Sequence, residues 1–515
     1  MRWARAQEPV AFGAAALVVA VAALAPLAWL GSELLAASSH ASVLLGSGKL
    51  WGLLVHSLAR AALVTALAGL LGLTLGFVLG RTDVAGRRLV LALHGFPLFL
   101  PPFLLALGGF HLFGREGFLG SEATSSLLFG EAGAVLIQAF AFAPVMTALV
   151  LLGLAGIDPA LEEAARAVTS PWRVATRISL PLVWPSLALG ALIVFALSLA
   201  ELGVPMFLRV PAYPALVFAR LGGAAWEPGE AFLLTVPLAG VALLLLALER
   251  RLAQRPIAMT VLRPARAWLQ LRGARIPISV ACWGLAGLSV APLVGLALRA
   301  ARGGGFGEVP AWQGSSLWNS LVAAAVGATV IVAVGTVAGW ALARGRRGSR
   351  VLDALMALSF VMPAAVLGVG LIAVWNRPAT GFLYASPAIL VIGYVARYAV
   401  IGARPIAAAI AQSAVSLEDA AAALGAGFFR RFGRIVLPLH RRAIGGAWLL
   451  ASVFCLRDLE TAVLYYPPGG ETLPVRIFTL EANGPEPVVA ALALVHVGVT
   501  ALVLGAGGLL LRRRP

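Results

Sequence analysis

Residues Leu161–Leu182 read "LEEAARAVTSPWRVATRISLPL", and Leu417–Leu439 read "LEDAAAALGAGFFRRFGRIVLPL". Each is an alanine-rich, charged, helix-forming passage that ends in Leu-Pro and runs into a long apolar segment. They stand out because the chain is 60% hydrophobic and only 12% charged. A protein that writes the same polar passage twice is built from a repeat, and the surroundings bear this out. Aligning Pro181 with Pro438 sets Glu201 against Asp458 and Leu202 against Leu459. Upstream, "RTDVAGRR" (Arg81–Arg88) matches "RGRRGSR" (Arg344–Arg350). Likewise "FPLFLPPFLLALGG" (Phe96–Gly109) resembles "LSFVMPAAVLGVG" (Leu358–Gly370), with Pro102 against Pro363. The repeat divides the chain into halves 1–262 and 263–515, joined through an arginine-rich segment, Glu249–Arg275.

The apolar background sets the fold class. A mean hydropathy of +0.94 over 515 residues is outside the range of soluble domains. Apolar runs long enough to cross a bilayer recur: Val10–Leu30, Trp51–Gly80, Glu131–Leu152, Val183–Ala200, Ala231–Leu248, Trp318–Leu342 and Pro487–Leu511 among them. Twelve spans are expected, six per half, in an all-α polytopic membrane protein. An even number per half gives both copies the same orientation, a parallel repeat. The polar passages then share one face, and two like surfaces there suit a two-fold partner. The N-terminal run is long for a signal sequence and many spans follow, so it reads as an uncleaved first helix.

The net charge of +17 is no sign of nucleic acid. With the N-terminus inside and twelve alternating spans, most of the basic residues fall in inside segments, as the positive-inside rule requires. Both termini are then cytoplasmic. Cys282 and Cys455 sit in apolar helical context and predict no disulfide framework. The six histidines, His40, His56, His94, His111, His440 and His496, lack metal-ligand spacing and read as structural. A phosphate-binding loop is missing too. The one lysine, Lys49 in "LLGSGKLW", has Val43 where the leading glycine belongs and Leu50 in place of Ser or Thr. ATP chemistry would have to come from another chain.

Each polar passage predicts a helix, an elbow and a second short helix. In the first copy Asp158 caps with Pro159 at the first helical position, and Glu162 and Glu163 oppose the helix dipole. In the second, Ser416 with Asp419 predicts a capping box, and Gly425 a left-handed cap. The alanine faces admit close approach of another backbone. These residues resemble the EAA motif of binding-protein-dependent ABC importer permeases, whose motif forms a coupling helix that docks on an ATPase subunit. The correspondence covers Glu163, Ala164, Ala165, Pro171, Trp172 and Pro181, with Glu162 beside them. In the second copy it covers Asp419, Ala420, Ala421, Gly425 and Pro438, with Glu418 beside them. The first copy is one residue short in the elbow and has Thr169 or Ser170 where the family has glycine, which implies unequal docking sites.

Within that family, the two-half form and "LRDLETAVLYYPPGGETLPVRIF" (Leu456–Phe478) look like the iron(III)-type permeases; thiamine, phosphonate, polyamine and sulfate permeases are near relatives. The resemblance implies a bacterial inner-membrane permease without a cofactor or resident metal. Its partners would be an ATPase dimer holding ATP and Mg, and a periplasmic substrate-binding protein. The rival class is an ion-coupled secondary transporter, which needs mid-membrane protonatable groups. Glu201 and Asp458 either line the pathway and favour a cation or pair locally at the outer interface. Pro102 and Pro363 mark kinked spans, at a gate or in ordinary packing. Tyr465 and Tyr466 read as interfacial tyrosines rather than iron ligands. Arg397 is an intramembrane charge with no evident partner.

Overall fold

The fold is a bundle of long helices in a computed structural model that describes residues 2–36, 46–221, 228–253 and 267–512. The repeat boundary at 262/263, His40 and the arginines at 255, 263, 266, 513 and 514 lie outside the described residues. Among the described residues, nine helices are long and apolar enough to cross a membrane. They are spans 1 (Gln7–Trp29), 2 (Gly48–Arg81), 4 (Glu131–Ala155), 5 (Pro171–Ala200) and 6 (Leu233–Leu252), then 7 (Arg272–Arg302), 8 (Ser316–Ala343), 10 (Ala388–Ala411) and 12 (Glu486–Leu511). Spans 3 and 9 are bent pairs: Arg87–Phe99 with Pro102–Phe113 at 107°, and Ser349–Val361 with Ala364–Trp375 at 109°. Span 11 is Arg441–Leu456, 16 residues long and set off from the preceding turns at His440. It is too short to stand alone as a crossing, whereas its counterpart in the first half runs unbroken from Pro171. Against the twelve spans expected, the described residues therefore give nine, or eleven if each bent pair counts as one.

The breaks in spans 3 and 9 follow from proline. The residue before proline is pushed out of helical conformation. Leu100 and Pro101 have ψ of 151° and 128°, and Met362 and Pro363 have 130° and 141°. Non-helical backbone at membrane depth survives only inside protein. Leu100 is fully buried and Met362 nearly so, and the half-helices that follow are buried along almost their whole length. Both bends, at 107° and 109°, are sharper than the expected kinks.

Close helix pairs rest on small residues, since lipid supplies no hydrophobic drive between helices. Span 8 lies against span 10 where Gly335 faces Gly402 and Gly339 faces Ala403. Span 2 lies against span 4 the same way, with Gly72 and Gly76 over Met146, Thr147 and Val150. The sequence repeat is not the packing unit, however. Span 1 seats on the second half: Pro26 abuts Gly370, Glu8 pairs with Arg346 at 2.6 Å and the Phe429 amide donates to the Gln7 side chain at 3.5 Å. Span 7 seats on the first half. Its Gly295 lies against the Gly108 carbonyl, Trp283 Nε1 donates to the Ala85 carbonyl at 3.1 Å, and Ser289 meets His94 at 3.3 Å. Each half thus lends its first span to the other.

Candidate functional site

Among the polar places in the bundle, two adjoin the repeated residues: the pair of elbows, and a cavity where the halves meet.

In the first elbow Asp158 caps Pro159–Val168, accepting from the Ala160 amide at 3.0 Å, with Pro159 at the helix start. Ser170 caps the short helix Pro171–Val174, and a wide turn, Ala175–Ser179, leads into Leu180–Ala200. The second elbow begins differently from the expected capping box. Val415, itself helical, is the cap of Ser416–Ala423, so Ser416 is already inside the helix and its hydroxyl caps nothing. The helix reaches one residue further back than the polar pattern suggests, because the Val415 carbonyl takes the Glu418 and Asp419 amides. Gly425, at φ +83°, closes it as expected. The first elbow turns through extended Thr169 instead.

The elbows present large apolar side chains outward. Val168 is 85% exposed, Trp172 75% and Leu424 90%, with Leu161, Leu417 and Phe429 more than half exposed. Ala164 and Ala420 are exposed beside them, as are Glu163, Asp419, Pro171, Pro181 and Pro438; Ala165 and Ala421 are half-buried.

The neighbouring acids do the opposite. Glu162 and Glu418 are buried and each meets an arginine at the end of a long span. Arg81 Nε donates to Glu162 at 3.0 Å; Arg344 donates to Glu418 through Nε at 2.9 Å and Nη2 at 2.7 Å. Ser179 Oγ and Trp268 Nε1 complete the Glu162 shell at 2.7 Å and 3.1 Å, and Trp340 Nε1 donates to Glu418 at 2.9 Å. A buried carboxylate is tolerable only when so saturated. In sequence, Arg81 and Arg344 read merely as basic turns. The signal for the inner acids was the repeat itself: Glu recurs at 162 and 418, while the next position drifts from Glu163 to Asp419.

The second place lies where spans 5 and 11 end. Glu201 and Asp458 are both buried and line one small cavity with Pro102, Arg397, Arg457 and Glu460; Pro363, at the equivalent break, is not among its lining residues. Each carboxylate caps the short helix after its span. Glu201 Oε1 accepts from the Val204 amide at 3.1 Å. Asp458 Oδ1 accepts from the Thr461 and Ala462 amides at 3.0 and 3.1 Å. Asp458 Oδ2 accepts from the Tyr398 hydroxyl at 2.5 Å. Arg397 finds partners that the sequence hid, donating to Glu460 and lying 3.9 Å from Asp458 Oδ2. Arg457 donates to the Leu98 carbonyl of span 3. The cluster therefore holds two guanidiniums among three carboxylates. Tyr465 is 1% exposed, with its hydroxyl packed on Gly393.

His94 is structural, wedged between Ser289 and Thr147 at 3.3 and 3.0 Å. Both cysteines are free and buried. Among the described residues, no group of three or more His, Cys, Asp or Glu side chains is placed to hold a metal ion.

No protein-family model matches the chain. It is similar to the molybdenum transport system permease protein ModB of Escherichia coli, 29% identical over 208 residues, which is 38% of this chain and 91% of that protein. It is 30% identical to a probable molybdenum ABC transporter permease protein of Haloferax volcanii, over 39% of this chain and 75% of the relative. A putative ferric transport system permease protein, FbpB 1 of Haemophilus influenzae, is 25% identical over 427 residues, 76% of this chain and 66% of the relative.

Proposed function

The chain belongs to the ABC transporter permeases, and from that premise we propose that it is the whole membrane pathway of an importer, both halves in one polypeptide. A separate ATPase dimer, holding ATP and Mg, docks on the two elbows; a periplasmic binding protein delivers the substrate. The chain lies in the bacterial inner membrane with both termini in the cytoplasm. The observation that carries this reading is the pair of elbows, each exposing apolar side chains on an otherwise polar passage. Such a patch marks an interaction surface. On this reading Glu163, Ala164, Ala165, Pro171 and Trp172 meet one ATPase subunit, and Asp419, Ala420, Ala421 and Gly425 the other.

ATP binding closes the dimer, draws the elbows together and turns the halves about the cavity lined by Glu201 and Asp458. The proposed substrate is iron(III). Its support is that the ferric relative spans both halves, whereas the molybdenum permeases match a single half-length stretch. A second reading, an oxyanion such as molybdate, is favoured by Arg397 and Arg457 in the cavity and by the higher identity of the molybdenum permeases.

The test is reconstitution with the ATPase and binding protein of the same transport system. Glu163→Arg with Asp419→Arg places like charge at both docking sites without touching the buried acids. Binding-protein-stimulated hydrolysis should fall by about tenfold or more; unchanged hydrolysis sinks the docking assignment. The same vesicles decide the cargo by uptake of iron(III) against molybdate. Glu201→Gln with Asp458→Asn should cut iron(III) uptake several-fold while leaving hydrolysis in place, and normal uptake removes the two carboxylates from the pathway.

A further inference from the structure

The connection between the halves is more than a tether. Directly before span 7 the chain runs alongside the Arg81 end of span 2. The Trp268 and Leu269 amides donate to the Arg81 carbonyl at 3.0 and 2.9 Å, and the Leu271 amide donates to Asp83 Oδ1 at 2.9 Å. This strap delivers the Trp268 indole to Glu162, at 3.1 Å, and holds it 5.2 Å under the Arg166 guanidinium of the first elbow helix.

The second half shows why that indole matters. There the indole N–H that saturates Glu418 comes from Trp340, one helical turn before Arg344 on the same span. The residue one turn before Arg81 is Phe77, which has no N–H to give. The two halves therefore reach the same arrangement, an arginine and an indole on one buried elbow carboxylate, from different places in the chain. A carboxylate in low dielectric demands every donor it can reach, and in the first half the strap supplies the missing one.

We propose that Trp268 is a positioning residue of the coupling machinery: by completing the Arg81–Glu162 clasp it holds the first elbow rigidly to span 2, so that movement of that elbow is transmitted to the span. The proposal rests on the docking reading above. It makes the first elbow depend on the inter-half strap and the second elbow depend on its own span alone.

The experiment uses the full chain reconstituted with its ATPase and binding protein. Trp268→Phe keeps the ring and removes the N–H. The complex should assemble normally and keep its stimulated hydrolysis, but substrate moved per ATP should fall by about threefold or more. Adding Phe77→Trp, which places the donor where the second half carries it, should restore the ratio. An unchanged ratio in Trp268→Phe overturns the proposal. So does a loss confined to the amount of assembled complex, as does a failed rescue by Phe77→Trp in a complex that assembles normally. A wild-type complex without binding-protein-stimulated hydrolysis would count against the docking reading itself, whatever Trp268 does.

Discussion

Arg344→Met is expected to destabilise the protein by about 3–5 kcal/mol, the loss seen when one partner of a buried ion pair is removed. Glu418 is only 6% exposed, and Arg344 supplies two of its hydrogen bonds. Without the guanidinium, a carboxylate with only the Trp340 donor remains inside the protein. The converse change is milder. In Glu418→Gln the arginine keeps the Ser413 hydroxyl at 3.1 Å, and its stem allows the head to reach toward water. The double variant Arg344→Met, Glu418→Gln should recover most of the loss, because it leaves no charge buried. Thermal unfolding in detergent checks the order: Arg344→Met lowest, the double variant and Glu418→Gln nearer wild type. A wild-type transition for Arg344→Met would mean that Glu418 is not held by this arginine.

Gly335→Leu should prevent the second half from assembling. A Cβ at Gly335 would lie 2.5 Å from the Gly402 carbonyl carbon and 2.8 Å from the Ala403 amide nitrogen. Both are backbone atoms of span 10, so no rotamer change relieves the clash and the helices must separate. Ordinary overpacking costs about 1–3 kcal/mol, and backbone contact at this range costs more. Spans 8 and 10 also carry Arg344 and Arg404, and Arg404 pairs with Asp353 at 2.9 Å and with Glu249 of the first half at 2.8 Å. Separation therefore breaks inter-half contacts as well. Gly284→Leu, at an exposed position of span 7 with no atom within 4 Å of the added carbon, is the control and should leave yield unchanged. The readout is monodisperse protein after detergent extraction; equal recovery of the two variants would contradict the close crossing.

Much of the architecture was legible in the residues. The apolar runs, the repeat, the Asp158–Pro159 helix start and the Gly425 cap depend on neighbours a few positions apart, and local chemistry reports such features directly. The breaks at Pro102 and Pro363 were legible as irregularities, though not as bends past 100°, because the angle is set by what surrounds the freed backbone. The capping box at Ser416 failed for a local reason: the Val415 carbonyl was free to start the helix one residue earlier.

What the sequence by itself determined is a duplicated helical membrane protein whose two polar passages stand outside the apolar phase. Hydropathy and periodicity decide that, because bilayer length and backbone satisfaction leave only helices. Only the tertiary structure decided which of two adjacent acids turns inward. Glu162 and Glu163 are equally polar and a single residue apart, and only the position of Arg81, Ser179 and Trp268 separates a clasped carboxylate from a surface one. The exchange of first spans, the partners of Arg397 and the reach of Trp268 to Glu162 are of the same kind. They join residues far apart in the chain, and a buried charge reveals its partner only once the surrounding helices have removed water from it.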